Sequence, residues 1–328
     1  MSRIAALLVA AVTVAAPAAA ASRLLVAGAA DAPLRLRIDG GSAAIGDGGA
    51  RLQLAPGTSV DAFAATRGGW LAVGTKPVPG GRDLVLWSGR DGKGDGLTPP
   101  LPLPAPPGRV GAVRAFPVPL LRDGELVGLA WLEGEAADRF AVLASAWDGH
   151  EWGAPTSVAP PGRGSQLALT GAVLADGSWV LAWSAFDGED DEVVWSHRRS
   201  ASSNQGRWSA PAPVAAGNDV PDVTPTLRAD GDGALLAWSR YDGNDYRLVM
   251  SRLAGKRWGA AEWAAGAGSI QPRWEGEALT FRDAAAGTWV AARVDAADRL
   301  RAEDTAAAPP EPRPAAAKRD GAARLLFP

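Results

Sequence analysis

The chain has 328 residues, with 33 basic and 36 acidic side chains and a formal net charge of −3 at pH 7. This balance excludes the basic stripe that nucleic-acid-binding surfaces need, so we expect no nucleic-acid partner. The sequence contains no cysteine, which excludes disulfides, cysteine-based zinc sites and a lipid anchor on cysteine. The unusual feature of the composition is 14 tryptophans beside two tyrosines and six phenylalanines.

The N-terminus has the pattern of a secretory signal peptide. Arg3 precedes an apolar run over residues 4–15 and an alanine-rich exit that ends in APAAAAS. A positive start, a short apolar core and a small-residue exit define such leaders, and we predict a signal peptide over residues 1–21, cleaved near Ala20 or Ala21. A membrane span needs about 20 apolar residues, so none is expected. The mature protein is therefore predicted to be secreted or periplasmic.

Short apolar runs that end in Ala-Trp recur through the chain. They end at Trp131, Trp183 and Trp238, with steps of 52 and 55 residues, and we assign related runs around Trp70 and Trp289 to the same phase. After a polar loop, a second apolar run follows in four units, over residues 83–88, 140–145, 192–196 and 247–251. Runs of this length bounded by Gly, Asp and Pro are typical of strands.

Each second run leads into a turn with Ser, Gly and Trp at repeated positions. Residues 145–152 and 251–258 share the spacing, residues 196–208 have the same ends with an insertion, and residues 88–92 keep the first half. Glycine supplies the positive φ of a tight hairpin, and a serine hydroxyl can bond the backbone of the turn. An Asp-Gly turn precedes each Ala-Trp run, so one unit comprises four short strands.

Four short antiparallel strands in a unit of about 50 residues, repeated along the chain, predict a β-propeller. We predict an all-β propeller over residues 22–304 with five visible units. Residues 23–54 have room for another, which gives six four-stranded blades. Residues 305–328 form a Pro/Ala-rich tail, and we predict that residues 324–327 add a strand to the first blade.

The hairpin pattern Ser-x-x-x-Gly-x-x-Trp resembles the Asp-box, Ser-x-Asp-x-Gly-x-x-Trp, of sialidase-type (BNR-repeat) propellers. It is degenerate, because Trp147 and Leu253 stand where the Asp-box has aspartate. The resemblance implies a pocket with three arginines, an aspartate acid/base and a tyrosine nucleophile, the exception among glycosidases. The chain has no recognisable set of this kind: its arginine phrase, residues 114–117, falls in the third unit, and its last tyrosine is Tyr246. We therefore predict a non-enzymatic binding module.

The face on which a propeller loop opens indicates which residues are candidates for binding. Loops between the second and third strands, and between blades, open on one face, here called the front; the hairpins between the third and fourth strands open on the back. The loops FDGEDD and YDGNDY are therefore predicted to lie on the front face. The candidate binding residues are Tyr241, Asp242, Asp245, Asp187, Asp190 and Asp222, with Arg273 and Trp274 from a later unit as a pair that could stack on a sugar.

Several interpretations of these residues remain open. The acidic loops can be turn chemistry alone, can bind a neutral sugar or a peptide, or can bind Ca²⁺ through several oxygens. Trp274 can stack on a sugar or fill space between blades. The expected ligand is a carbohydrate or an extracellular or envelope protein, with no cofactor and a monomeric chain. The alternative function is glycoside hydrolysis by front-face carboxylates, Asp222 with Asp242 or Asp245.

Overall fold

A computed structural model describes residues 23–27, 34–39, 41–46, 51–90, 112–134, 139–161, 166–199, 206–215, 218–295 and 298–302. The predicted signal peptide and the predicted tail strand over residues 324–327 lie outside this part of the chain. No helix in the described part is long and apolar enough to cross a membrane.

The described residues form five sheets of consecutive strands. The first contains β1 (Arg23–Ala27), β2 (Leu34–Asp39), β3 (Ser42–Ile45) and β4 (Arg51–Gln53). The second contains β5 (Ser59–Thr66), β6 (Gly69–Val78), β7 (Gly81–Arg90), β8 (Val113–Arg122), β9 (Glu125–Gly134), β10 (Phe140–Ala146) and β11 (Thr156–Ala159). The third contains β12 (Gln166–Val173), β13 (Trp179–Phe186), β14 (Asp191–Arg198) and β15 (Ala212–Pro213).

The last two sheets follow the same plan. One contains β16 (Asp222–Asp230), β17 (Gly233–Tyr241), β18 (Tyr246–Ala254), β19 (Arg257–Trp258) and β20 (Glu262–Ala267), and the other β21 (Ser269–Glu275), β22 (Ala278–Asp283), β23 (Thr288–Val294) and β24 (Leu300–Ala302). The seven-stranded sheet divides into β5–β7 and β8–β11, because the strand pairing between these halves consists of one parallel bridge between Arg82 and Val113. Residues 23–53 thus supply the additional unit that the sequence predicted, and this sheet already has four strands.

The sheets follow one another around a common axis. The first strand of each unit packs against the first strand of the next, in the order β1, β5, β8, β12, β16 and β21. This arrangement of antiparallel sheets confirms the predicted all-β propeller. The blade number of six stays a prediction.

Tryptophans on the second strands fill the space between sheets. Trp131, Trp183 and Trp238 lie on β9, β13 and β17 and are fully buried. Each stands opposite a bulge in the adjoining first strand. A bulge bends a strand locally, and here it coincides with the largest side chain on the second strand. The Ala-Trp repeat therefore reflects the contact between neighbouring sheets.

The run around Trp70 lies on a second strand, β6, as predicted, whereas the assignment of the run around Trp289 to a second strand was wrong. Trp289 lies on β23, the third strand of its sheet, and Phe281 on β22 occupies the position opposite the bulge. In β6, Val73 borders the bulge and Trp70 lies earlier in the strand. Phenylalanine and valine satisfy the same requirement for a buried apolar side chain. The structural repeat therefore continues in these two units although tryptophan is absent from the position at the bulge.

The serine of each back-face hairpin holds the chain where it leaves the hairpin. Each hydroxyl donates to the carbonyl of the residue after the hairpin tryptophan: Ser145 to Gly153 at 2.6 Å, Ser196 to Ser209 at 2.8 Å and Ser251 to Gly259 at 3.0 Å. The third tryptophan, Trp258, packs edge-on against Trp195 of the preceding sheet, with ring centroids 5.6 Å apart. The repeated serine therefore fixes the chain at the end of the hairpin, and Trp258 packs this hairpin against the preceding sheet.

Replacing Ser251 by alanine is expected to lower the free energy of unfolding by about 1 kcal/mol, the usual net contribution of one hydrogen bond. Urea unfolding followed by tryptophan fluorescence measures the change. The matched control is Ser42→Ala, because Ser42 makes only an exposed 3.3 Å bond to the Asp39 carbonyl. Equal losses in the two variants would contradict a clamping role for the hairpin serine.

Candidate functional site

Asp187 builds the front-face loop between β13 and β14. Its Oδ1 accepts hydrogen bonds from the backbone amides of Glu189 at 2.8 Å and Asp190 at 3.2 Å. These amides, that of Glu189 foremost, lower the pKa of the carboxyl group. The geometry is that of an Asx turn, so the turn interpretation accounts for this aspartate.

Asp242 does the same in the loop between β17 and β18. Its Oδ1 accepts from the amides of Asp245 at 2.8 Å and Asn244 at 2.9 Å, and its Oδ2 lies 2.5 Å from Arg247 Nε. The backbone amides of Asp245 and Asn244, then Arg247, lower the pKa of Asp242. The carboxylate of Asp242 is therefore already used by its own loop.

Aromatic side chains border these two loops. Tyr241 and Tyr246 face each other across the ends of β17 and β18, with ring centroids 5.4 Å apart. Phe186 ends β13 directly before Asp187 and is 40% exposed. The front face of these two sheets therefore presents aromatic surface beside carboxylates.

A buried ion pair lies under this surface. Asp222, at the start of β16, is 1% exposed and pairs across the strands with Arg240 of β17. Arg240 donates from Nε to Asp222 Oδ1 at 2.7 Å and from Nη2 to Asp222 Oδ2 at 2.6 Å. This two-point bond raises the pKa of Arg240 and is the strong bidentate form of an arginine–carboxylate pair.

Glu192 is a second buried carboxyl group that sequence reasoning missed. It lies on β14 and is 8% exposed. Asn218 Nδ2 is 3.5 Å from Glu192 Oε2 and 3.4 Å from Asp222 Oδ2, so the two carboxyl groups of neighbouring sheets meet at one amide. Burial, followed by the charges of Asp222 and Asp190, raises the pKa of Glu192 to about 7.

The neighbours of Glu192 along the chain extend the acidic region. Burial, followed by the charge of Asp187, raises the pKa of Asp190 and of Asp191. Glu192 opens the apolar run EVVWS, and an acidic residue at the edge of a buried run is the signal that points to such a site. The sequence pattern assigns that run, Glu192 included, to a strand and gives Glu192 no role of its own.

Arg273 and Trp274 lie apart from these loops. Both fall in the second half of β21, toward the back face, whereas the front end of that strand begins at Ser269. The Arg273 guanidinium lies 3.6 Å from the ring centroid of Trp289, and the guanidinium of Arg228 lies 4.2 Å from that of Trp274. The structure therefore does not bring this pair to the acidic loops, and it favours the interpretation of Trp274 as a ring that fills space between units.

The described residues offer no arrangement for the Ca²⁺ interpretation. Among them, no three His, Asp or Glu side chains are grouped so as to hold a metal ion. The loop carboxylates of Asp187 and Asp242 accept backbone amides instead of converging on one point. Ca²⁺ needs six to eight converging oxygens.

Backbone in a strained conformation recurs at the bulges of four first strands. Phe116, Ala168, Thr224 and Gln271 have φ between 48° and 54° and stand at the bulge of β8, β12, β16 and β21 respectively. Non-glycine residues in this region cost of order 1–3 kcal/mol each and cluster at functional sites. Three of the four precede proline, a repeated signal that sequence reasoning did not use.

Comparisons with known proteins agree with this architecture. No protein-family model matches the chain, and no curated protein matches it. Among solved structures, the chain is similar to a prolyl endopeptidase, with 12% identity and a TM-score of 0.50 over 87% of this chain and 42% of that one. The chain thus spans less than half of that protein's length.

Two glycosidase structures are also similar to the chain. They are the GH43 endo-arabinanase from Bacillus licheniformis, with 13% identity, a TM-score of 0.40 and coverage of 73% of this chain and 94% of that one, and the Trypanosoma rangeli sialidase, with 11% identity, a TM-score of 0.39 and coverage of 64% and 38%. Both likenesses are too weak to assign the fold. The order and packing of the sheets identify the chain as an all-β protein of the propeller class.

Proposed function

We propose that the protein is an exported, non-enzymatic binding module that recognises a neutral carbohydrate on the front face of the β12–β15 and β16–β20 sheets. The observation that carries this proposal is the exposed ring of Phe186 and the half-buried Tyr241–Tyr246 pair beside acidic loops on neighbouring sheets.

The chemistry of this surface suits a neutral sugar. Aromatic rings combine a flat apolar face with low conformational freedom, which suits the apolar face of a pyranose ring. The carboxylates of Asp190 and Asp245 accept hydrogen bonds from hydroxyl groups. The same charges repel an anionic sugar such as sialic acid. This combination favours a neutral carbohydrate over an acidic one.

The carboxylates that were candidates for catalysis have structural partners. Both oxygens of Asp222 accept from Arg240, and the side chain is 1% exposed. Asp242 is held by two backbone amides and by Arg247. A general acid or nucleophile must reach the substrate, so these contacts favour binding over hydrolysis.

We expect glycan-array screening of the mature protein to identify a neutral glycan whose Kd rises at least tenfold in Phe186→Ala and in Tyr241→Ala. The reason is the loss of stacking area, since each aromatic side chain supplies a large part of such a contact. Isothermal titration calorimetry measures the Kd. The control is Trp147→Ala, because Trp147 is also partly exposed but lies in a back-face hairpin, where it pairs with Trp152. No glycan binding together with capture of an envelope protein would contradict the carbohydrate ligand and leave the protein ligand as the function.

Glycoside hydrolysis is the second candidate, and one observation favours it. Glu192 and Asp222 meet at the Asn218 amide, and burial raises the pKa of Glu192 to about 7. A protonated acid beside an ionised carboxylate is the pattern of glycosidase active sites. A panel of fluorogenic neutral glycosides tests it. Turnover by the wild type that is abolished in both Glu192→Gln and Asp222→Asn would overturn the non-enzymatic proposal.

A further inference from the structure

We propose that the contact between the β12–β15 and β16–β20 sheets is a proton-operated latch, in which protonated Glu192 keeps the two sheets closed and loss of that proton loosens the front face. The effect on ligand binding rests on the proposed function; the latch itself does not.

The charges at this contact do not balance when Glu192 is ionised. Arg240 is a cation that acts on both buried carboxyl groups, and its Nε and Nη2 are both bonded to Asp222. Among the described residues, Glu192 has only the neutral Asn218 amide as a hydrogen-bond partner, at 3.5 Å. A buried charge without an opposite charge is costly, so the closed contact suits a neutral Glu192.

The other charged groups that face Glu192 make ionisation still harder. The charges of Asp190, in the loop before β14, and of Asp222, on β16, both act on Glu192. Asp219 adds a further carboxylate in the loop before β16 and interacts with Asp190. Within the described part of the chain, Arg240 and the weaker Asn218 hydrogen bond oppose these charges at Glu192. A second negative charge on this contact therefore repels the neighbouring sheet.

The loop before β16 connects Glu192 to the binding surface. Asn218, which contacts Glu192, accepts from the amide of Val220 through its Oδ1 at 3.2 Å. The carbonyl of Pro221 then accepts from the amide of Tyr241 at 2.9 Å. Separation of the two sheets by the repulsion between Glu192 and Asp222 moves this loop and therefore changes the position of Tyr241 relative to Phe186 on the other sheet.

The direction of the pH effect follows from the charge states. The pKa of Glu192 in the folded protein, about 7, lies above its ordinary value of 4.5. Glu192 therefore makes its full contribution to the stability of the folded state below its ordinary pKa of 4.5, and this contribution is lost as the pH rises through about 7. The latch is thus closed in acidic solution and open in alkaline solution.

Hydrogen–deuterium exchange on the full chain tests the latch without any ligand. After correction for intrinsic exchange rates, we expect residues 191–193 and 218–222 to exchange roughly tenfold faster or more at pH 8.5 than at pH 5.5. Glu192→Gln, which mimics the protonated acid, should stay slow at both pH values. The control Glu189→Gln, in the exposed loop before Asp190, should keep the wild-type dependence.

Two outcomes would overturn the latch: wild-type exchange that is the same at both pH values, or a pH response in Glu192→Gln equal to that of the wild type. A separate titration with the glycan found on the array tests the consequence for binding. We expect its Kd to rise between pH 5.5 and pH 8.5 in the wild type and to stay constant in Glu192→Gln. Absence of any glycan ligand would count against the proposed function and would not alter the exchange result.

Discussion

Replacing Arg240 by methionine is expected to lower the free energy of unfolding by about 3–5 kcal/mol at pH 7, because it leaves the buried carboxylate of Asp222 without its cation. Methionine fills roughly the volume of the Arg240 methylene groups. The decrease in unfolding free energy therefore measures the loss of the charge and of its hydrogen bonds. Denaturant unfolding of the purified variant measures the change. The matched control is Arg247→Met on β18: its ion pair with Asp242 involves a side chain that is 41% exposed, and such pairs contribute at most about 1 kcal/mol.

The double variant Asp222→Asn/Arg240→Met distinguishes the effect of an unpaired buried charge from the effect of altered packing at position 240. Asparagine has the size of aspartate and no charge, so we expect the double variant to be more stable than Arg240→Met alone. A loss in Arg240→Met no larger than that in Arg247→Met would show that the pair carries little stability. It would also weaken the argument that Arg240 is fully engaged by Asp222.

Replacing Trp238 by alanine is the second substitution with a large expected effect, about 3–5 kcal/mol of unfolding free energy. Trp238 is fully buried and lies in the cluster between the β12–β15 and β16–β20 sheets. Removing the indole leaves a cavity at a position that rigid strands on both sides cannot fill. Thermal and denaturant unfolding measure the effect.

Trp263→Ala is the control for Trp238→Ala. Trp263 is 54% exposed, and substitutions at exposed sites usually change stability by less than about 0.5 kcal/mol. Trp183→Ala, at the same position in the preceding sheet, should match Trp238→Ala. A small effect in both buried variants would contradict the assignment of the Ala-Trp repeat to the contact between sheets.

Much of the fold could be predicted because a propeller repeats the same local requirements. The Ala-Trp runs mark second strands because each tryptophan fills one inter-sheet space, and the hairpin Ser and Trp mark the turn after the third strand. The prediction was wrong at Trp289 because phenylalanine meets the same requirement in that sheet. The spacing of one residue type reveals a structural repeat only in those units that keep the residue at the repeated position.

The candidate site could be predicted only in part. Loop position placed Asp187 and Asp242 on the front face, because the order of strands decides which end of a sheet a loop joins. The contact between Glu192 and Asp222 depends on two strands from neighbouring sheets meeting at Asn218. Such a contact has no signature in local spacing, which is why the two buried groups were not paired from the sequence.

A hydrogen-exchange map of the wild type, with and without the glycan identified by array screening, tests the front-face binding site directly. We expect the added protection to be confined to the front face, at residues 186–192, 218–222 and 241–246. Protection at the back-face hairpins, residues 145–152 and 251–258, with none on the front face would contradict it.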